Sequence, residues 1–153
     1  MGRAQLIEEE LTSSVIGAFY EVYNTLGFGF LEHVYVKSLE RELLQRGHSV
    51  GREVPVPVMY KGHQVAHQRL DMIVDEKLIV ETKSTFELPR AAQRQLYNYL
   101  RATNVDLGLL LHFGPDPSSI DSTAPNAHPI DPLHPLHPDD PSSLWPARYC
   151  PLA

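Results

Sequence analysis

The sequence predicts an α/β domain in the order α-α-β-β-β-α-β, followed by a proline-rich tail. Three observations carry this reading. Apolar residues recur at helical spacing over residues 5–26 and again over 31–46. Two segments of strand character flank the turn Lys61-Gly62-His63. Ten of the 13 prolines fall after residue 114.

In the first helix, Leu11, Val15, Ile16, Phe19, Val22, Tyr23 and Leu26 form the apolar stripe, and Gly27 and Gly29 end it. The second helix carries Leu31, Val34, Tyr35, Leu39 and Leu43 on one face and stops at Gly47. Glu53–Tyr60 alternates valine with proline. Pro55 and Pro57 cannot serve a central strand, because proline donates no ladder hydrogen bond, so this strand belongs at an edge. Gln64–Val74 is the second strand, and Asp75-Glu76-Lys77 turns into the third, Leu78–Lys83. Residues 87–103 are rich in helix formers. Val105–Phe113 is almost wholly apolar, as suits a strand buried on both faces.

Residues 115–153 are expected to lack regular structure, because they combine frequent proline with few apolar residues. Within them, His134 and His137 belong to low-complexity sequence, with metal binding the less favoured alternative. The expected division is a domain over 1–114 and a tail over 115–153.

Composition excludes several classes. One cysteine, Cys150, rules out a disulfide framework and a cluster built on several thiolates. No apolar run is long enough to span a bilayer, and residues 1–15 lack the basic-then-apolar pattern of a secretory signal. A cytoplasmic location is therefore expected. The net charge of −6 is uneven. Residues 1–114 hold 12 basic and 14 acidic side chains, a balance of −2, and the tail supplies the other −4. A near-neutral domain neither demands nor forbids a nucleic-acid partner.

Strand alternation places Asp71 opposite to Leu70 and Met72, and puts Glu81 and Lys83 on one face with Val80 on the other. Charges inside apolar strands are costly unless they are paired or hold a metal. Two carboxylates from adjacent strands suit Mg²⁺ or Mn²⁺, which want hard oxygen ligands and retain water. Lys83 could orient or deprotonate an attacking water, or neutralise a phosphate oxygen. A plain buried ion pair explains the same three residues equally well. Two features favour the metal. Glu32 lies at the edge of the second helix's apolar stripe, with Glu42 a competitor that could instead pair with Arg46. Gln95 and Tyr99, spaced i, i+4, could reach a phosphate or a bound water, though a half-buried Tyr and a surface Gln are the ordinary alternative.

Gly29-Phe30-Leu31-Glu32-His33-Val34-Tyr35 resembles the GxxExxY signature of a group of small bacterial proteins. Tyr60-Lys61-Gly62, Arg69-Leu70-Asp71, Val80-Glu81-Thr82-Lys83 and Gln95-Leu96-Tyr97-Asn98-Tyr99-Leu100 look like the same group. That group is similar to the PD-(D/E)XK nuclease superfamily, and Gln95 and Tyr99 resemble the Q-x-x-x-Y element of RecB-type nucleases. The resemblance covers roughly residues 5–114. It implies a restriction-endonuclease-like core, a mixed sheet flanked by helices. It also implies a Mg²⁺- or Mn²⁺-dependent phosphodiesterase acting on nucleic acid, DNA in the first instance. Asp71 and Glu81 would be ligands, Glu32 an added ligand, Lys83 catalytic, and Gln95 and Tyr99 assistants at the phosphate. Thr82 would face away from the metal. A further basic strand is expected after Gly114, where the sequence instead enters the tail.

His33 points away from Glu32. His67, Arg90, Arg94 and Arg101 read as surface residues. A nuclease-like module that binds nucleic acid or protein without cutting is the alternative function. A toxin, defence or regulatory subunit is the third. Assembly as a homo-oligomer or within a larger complex is left open, and no membrane partner is expected.

Overall fold

A computed structural model describes residues 3–123. Its elements are α1 (Arg3–Leu26), α2 (Glu32–Gln45), β1 (Val50–Tyr60), β2 (His63–Val74), β3 (Leu78–Lys83), α3 (Arg90–Ala102), β4 (Leu107–His112) and β5 (Ser118–Thr123). The five strands form one sheet in the order β1-β2-β3-β4-β5. β3 and β4 are parallel, joined through α3, and every other neighbouring pair is antiparallel. The sheet is therefore mixed and flanked by helices. β1, with its two prolines, lies at the edge.

Apolar side chains fill both sides of the sheet. Leu11, Val15 and Phe19 of α1 and Tyr35, Leu39 and Leu43 of α2 pack with Met72, Val74, Leu78, Val80, Leu109 and Leu111. On the other side Ala92, Leu96, Tyr99 and Leu100 of α3 pack with Val56, Leu70, Ile79 and Leu110. At Gly108 β4 packs closely against Leu96 of α3. A Cβ there would stand 2.8 Å from Leu96 Cδ1 and 3.1 Å from its Cγ. Gly108→Ala is expected to cost about 1–3 kcal/mol through overpacking, read as a lowered denaturation midpoint. A variant as stable as the parent would show that Leu96 can give way.

Residues 118–123 overturn the expected boundary at 114 and the expected missing edge. Ser118–Thr123 pairs with Leu107–His112, and Ile120 packs against the α3-side core. Proline density obscured this strand. Pro115 and Pro117 precede it and Pro125 follows it, but residues 118–124 contain none, so every backbone N–H of the segment is present to pair. The strand carries Asp121 and no basic residue, in contrast to the basic strand expected. Residues 124–153, including His134, His137 and Cys150, lie outside the described residues. Among those described, no helix is long and apolar enough to cross a membrane.

Strand alternation is broken at one level. Leu70 joins the α3-side core while Met72, two residues on, joins the opposite one. In β1 the facing residue Glu53 has φ 51, a left-handed conformation uncommon outside glycine. The β1–β2 ladder runs through Arg52↔Met72 and Val54↔Leu70 with no pair recorded between Glu53 and Asp71. At the same level β2 parts from β3, for their pairing covers only Met72–Val74 against Leu78–Val80. The two strands fork just before Asp71 and Glu81.

A polar chain ties α1 to the sheet. His48 Nδ1 is 2.7 Å from Asp75 Oδ2, and His48 Nε2 is 2.7 Å from Ser14 Oγ. Asp75 Oδ1 accepts from Ser49 N and Oγ. Burial opposes the Asp75 charge, but these hydrogen bonds and His48 outweigh it and hold its pKa below the ordinary value. The order resembles an acyl-transfer triad. Ser14, however, sits inside α1, where the neighbouring N–H groups are committed to the helix and cannot stabilise an oxyanion. The chain is a clamp.

Candidate active site

The fork between β2 and β3 leaves Thr82 N without a strand partner on that side, and the Asp71 carboxylate takes its place. Asp71 Oδ2 accepts from Thr82 N and from Thr82 Oγ1, each at 2.9 Å. Thr82, expected only to face away from a metal, has a further role that the sequence did not show: its hydroxyl holds the Asp71 side chain. Thr82 is fully buried, and its hydroxyl is satisfied by that bond.

Glu81 and Lys83 share one side of β3, as alternation requires. Lys83 Nζ donates to Glu81 Oε1 at 2.6 Å. Glu81 is 2% exposed. Its other oxygen, Oε2, is buried with no hydrogen-bond partner. Such an oxygen normally costs about 1–3 kcal/mol or more; among the described residues the other buried side-chain atom without a partner is Arg52 Nε, whose guanidinium pairs with Glu40. Glu32, in the first turn of α2, reaches across with Oε2 3.3 Å from Ser84 N. The three carboxylates and the lysine therefore converge on the stretch Glu81–Ser84.

Electrostatics follow from this grouping. Burial pushes the Glu81 carboxyl up to about 7, the Asp71 and Glu32 charges push the same way, and the Lys83 ammonium opposes them. Burial favours a neutral Lys83. The hydrogen bond to Glu81 and the charges of Glu81, Glu32 and Asp71 outweigh it and hold the pKa above the usual lysine value. The pair is asymmetric because the cation faces three anions whereas Glu81 faces one cation and two anions.

Gln95 and Tyr99 come to the same region from α3. Gln95 Nε2 donates to Tyr99 Oη at 2.8 Å, and Tyr99 Oη donates to Arg69 O at 3.2 Å. Burial, together with the charges of Glu81 and Asp71, raises the Tyr99 pKa against the opposing bond from Gln95. The phenol is thus within electrostatic reach of both carboxylates.

A family model for the PD-(D/E)XK nuclease superfamily matches residues 9–121. The chain belongs to that superfamily. Among solved structures, the crystal structure of SSO0001 is similar, with a TM-score of 0.52 and 21% identity. The match covers 61% of this chain and 50% of SSO0001, so the chain spans about half of that protein, and the likeness is one of fold. No curated protein matches the sequence.

For a superfamily that works with divalent metals, the donors fit in kind. Glu81 Oε2 is an orphaned hard oxygen, with Asp71 and Glu32 nearby. Among the described residues no group of three or more His, Cys, Asp or Glu is already arranged as a cation cage.

The other candidates separate cleanly. Glu42 pairs with Arg46 at 3.0 Å and takes no part. His33, His67, Arg90 and Arg94 are exposed, and Arg101 lies over the Tyr97 ring. Residues overlooked in the sequence support the site from behind. Ser84 Oγ donates to Phe30 O at 2.7 Å. His112, paired in register with Lys83, is buried and bonds Thr85 O through Nε2 at 2.8 Å. Since a carbonyl only accepts, Nε2 carries the proton. A Cβ on Gly114 would meet the His112 ring at 2.5 Å, which explains that glycine. A hydroxyl directly after Lys83 was the one visible sign of Ser84. His112 inside an apolar strand was a sign that pointed equally to packing.

Gly29, Glu32 and Tyr35 also acquire a physical account. Gly29 has φ 116, which lets the chain turn between α1 and α2. Tyr35 Oη donates to Gly27 O and accepts from Phe30 N, while its ring stacks on Phe113 with centroids 4.3 Å apart. The tyrosine fixes the loop, and the loop sets Glu32 against Ser84.

Proposed function

We propose that the protein hydrolyses phosphodiester bonds in DNA with Mg²⁺ or Mn²⁺, as a member of the GxxExxY group. The observation that carries this reading is the buried Glu81 carboxylate with one oxygen on Lys83 and the other unpartnered, at the fork that also holds Asp71.

Asp71, Glu81 and Glu32 would hold the cation. The chemistry supplied by a bound cation is charge relief on the phosphate oxygens and acidification of water. Lys83, kept charged by its three acidic neighbours, orients the attacking water or neutralises charge on the phosphate as it builds. Thr82 keeps Asp71 in place. The second N–H of Gln95 offers a neutral donor at the phosphate, with Tyr99 holding that amide in place.

The test is incubation of purified protein with linear and circular DNA in Mg²⁺, Mn²⁺ or a chelator, with Lys83→Ala as the control. Metal-dependent cutting absent from the control supports the reading. Equal traces in both identify a contaminant, and the non-cutting module takes the lead. Gln95→Ala and Tyr99→Phe are expected to slow cleavage by about ten- to a hundredfold, the range for hydrogen bonds to a charged group. Unchanged rates would reduce both residues to packing.

A further inference from the structure

Four large apolar side chains stand exposed around the end of β3. Phe28, Phe30 and Leu31, on the loop between α1 and α2, are 43%, 47% and 71% exposed. Phe86, on the loop that follows Lys83, is 73% exposed. Single exposed apolar residues are ordinary, but a group of them at one place signals contact. The two loops that carry them are joined. Ser84 Oγ donates to Phe30 O, Ser84 N faces Glu32, and the Phe28 and Phe86 rings meet edge to face at 6.3 Å. This aromatic rim is therefore fixed to the residues immediately after Lys83.

We infer that the rim binds unpaired nucleotides, stacking their bases while the adjoining phosphate lies at Lys83. The inference rests on the proposed nuclease site and names its substrate class, a single strand or a frayed end. Two observations favour this occupant. First, the rim is continuous in sequence with the catalytic strand end, since only Ser84 and Thr85 separate Lys83 from Phe86. Second, residues 1–123, which include the whole sheet, carry no excess of positive charge, with 12 basic and 16 acidic side chains. Counterion release from the phosphate backbone is accordingly a weak source of affinity, and another source is needed. Base–aromatic stacking is such a source and tolerates any sequence. Paired bases already stack on one another, so an exposed ring gains only from bases that are unpaired.

The test is fluorescence anisotropy of the full chain in chelator with two labelled probes, a single strand of about 15 nucleotides and a blunt duplex of the same length. The single strand is expected to bind about tenfold tighter or more. Phe28→Ala with Phe86→Ala should weaken single-strand binding by about tenfold or more and leave duplex binding unchanged. Phe86→Tyr should retain affinity, and Phe86→Leu, which stays apolar but lacks the π face, should lose it. Equal affinity for both probes, or indifference to the double substitution, would overturn the inference. So would wild-type self-association that the double substitution abolishes while single-strand binding persists, because the rim would then be a protein contact. Cleavage is scored separately. A protein that binds single strands through the rim but never cuts refutes the nuclease reading alone. One that cuts but ignores the rim substitutions refutes the rim alone.

Discussion

Lys83→Ala is expected to lower metal-dependent cleavage by about a thousandfold or more while leaving cation binding intact or stronger. Lys83 is held charged by Glu81, Glu32 and Asp71, and it competes with any cation for the Glu81 carboxylate through a 2.6 Å hydrogen bond. Its removal frees Glu81 Oε1 and takes away a repelling charge. Glu81→Ala should behave differently and lose cation binding and cleavage together, because Oε2 is the oxygen with no other employment. Isothermal titration with Mn²⁺ beside a cleavage assay separates the two patterns. If Lys83→Ala lost cation affinity as Glu81→Ala did, the lysine would be organising the carboxylates and not acting on substrate.

Without cation, the same carboxylate should make the protein less stable as pH rises. Glu81 is raised from 4.5 to about 7 in the folded chain, first by burial and then by Asp71. A carboxyl with a raised folded pKa binds its proton more tightly in the native state. Its contribution is thus complete below about 4.5 and is lost as pH climbs through about 7. The loss is roughly 3 kcal/mol on the scale of 1.36 kcal/mol per pKa unit. Denaturant unfolding in chelator should show a decline over that window in the parent and a much flatter profile in Glu81→Gln, which should be the more stable of the two at pH 8. Added Mn²⁺ should reverse that order, and cation affinity should rise between about pH 5 and 7 as the carboxyl ionises. Parallel profiles for parent and Glu81→Gln in chelator would mean that Glu81 titrates as an ordinary surface carboxylate.

Period and punctuation in the sequence disclosed every element but β5, and the grouping of Glu81 with Lys83. Helical stripes, the Lys61-Gly62 turn and the alternation of β3 are local properties, and local properties are legible. Pro55 and Pro57 even placed β1 at the edge. The fork was not legible. It depends on where the β2–β3 ladder ends and on Glu53 taking a left-handed φ, and neither follows from residue types in a window. Alternation was therefore applied straight through Asp71, where Leu70 and Met72 in fact serve opposite cores. The role of Thr82 was not legible for the same reason, since its bond to Asp71 exists only because the strands have parted. β5 was hidden by composition, as flanking prolines outweighed a proline-free stretch too short to register.

The bond from Thr82 to Asp71 gives one oxygen two duties. Beyond the fork β2 has only β1 as a recorded strand partner, so the hairpin continues as a two-stranded wing whose turn residues are exposed. Asp71 sits at the root of that wing and works as its latch to β3. An alanine there opens the latch as well as removing a ligand, whereas Asp71→Asn keeps an acceptor for Thr82 and removes the charge. The wing and the proposed cation thus draw on a single side chain, and any tilt of the hairpin changes the gap between Asp71 and Glu81.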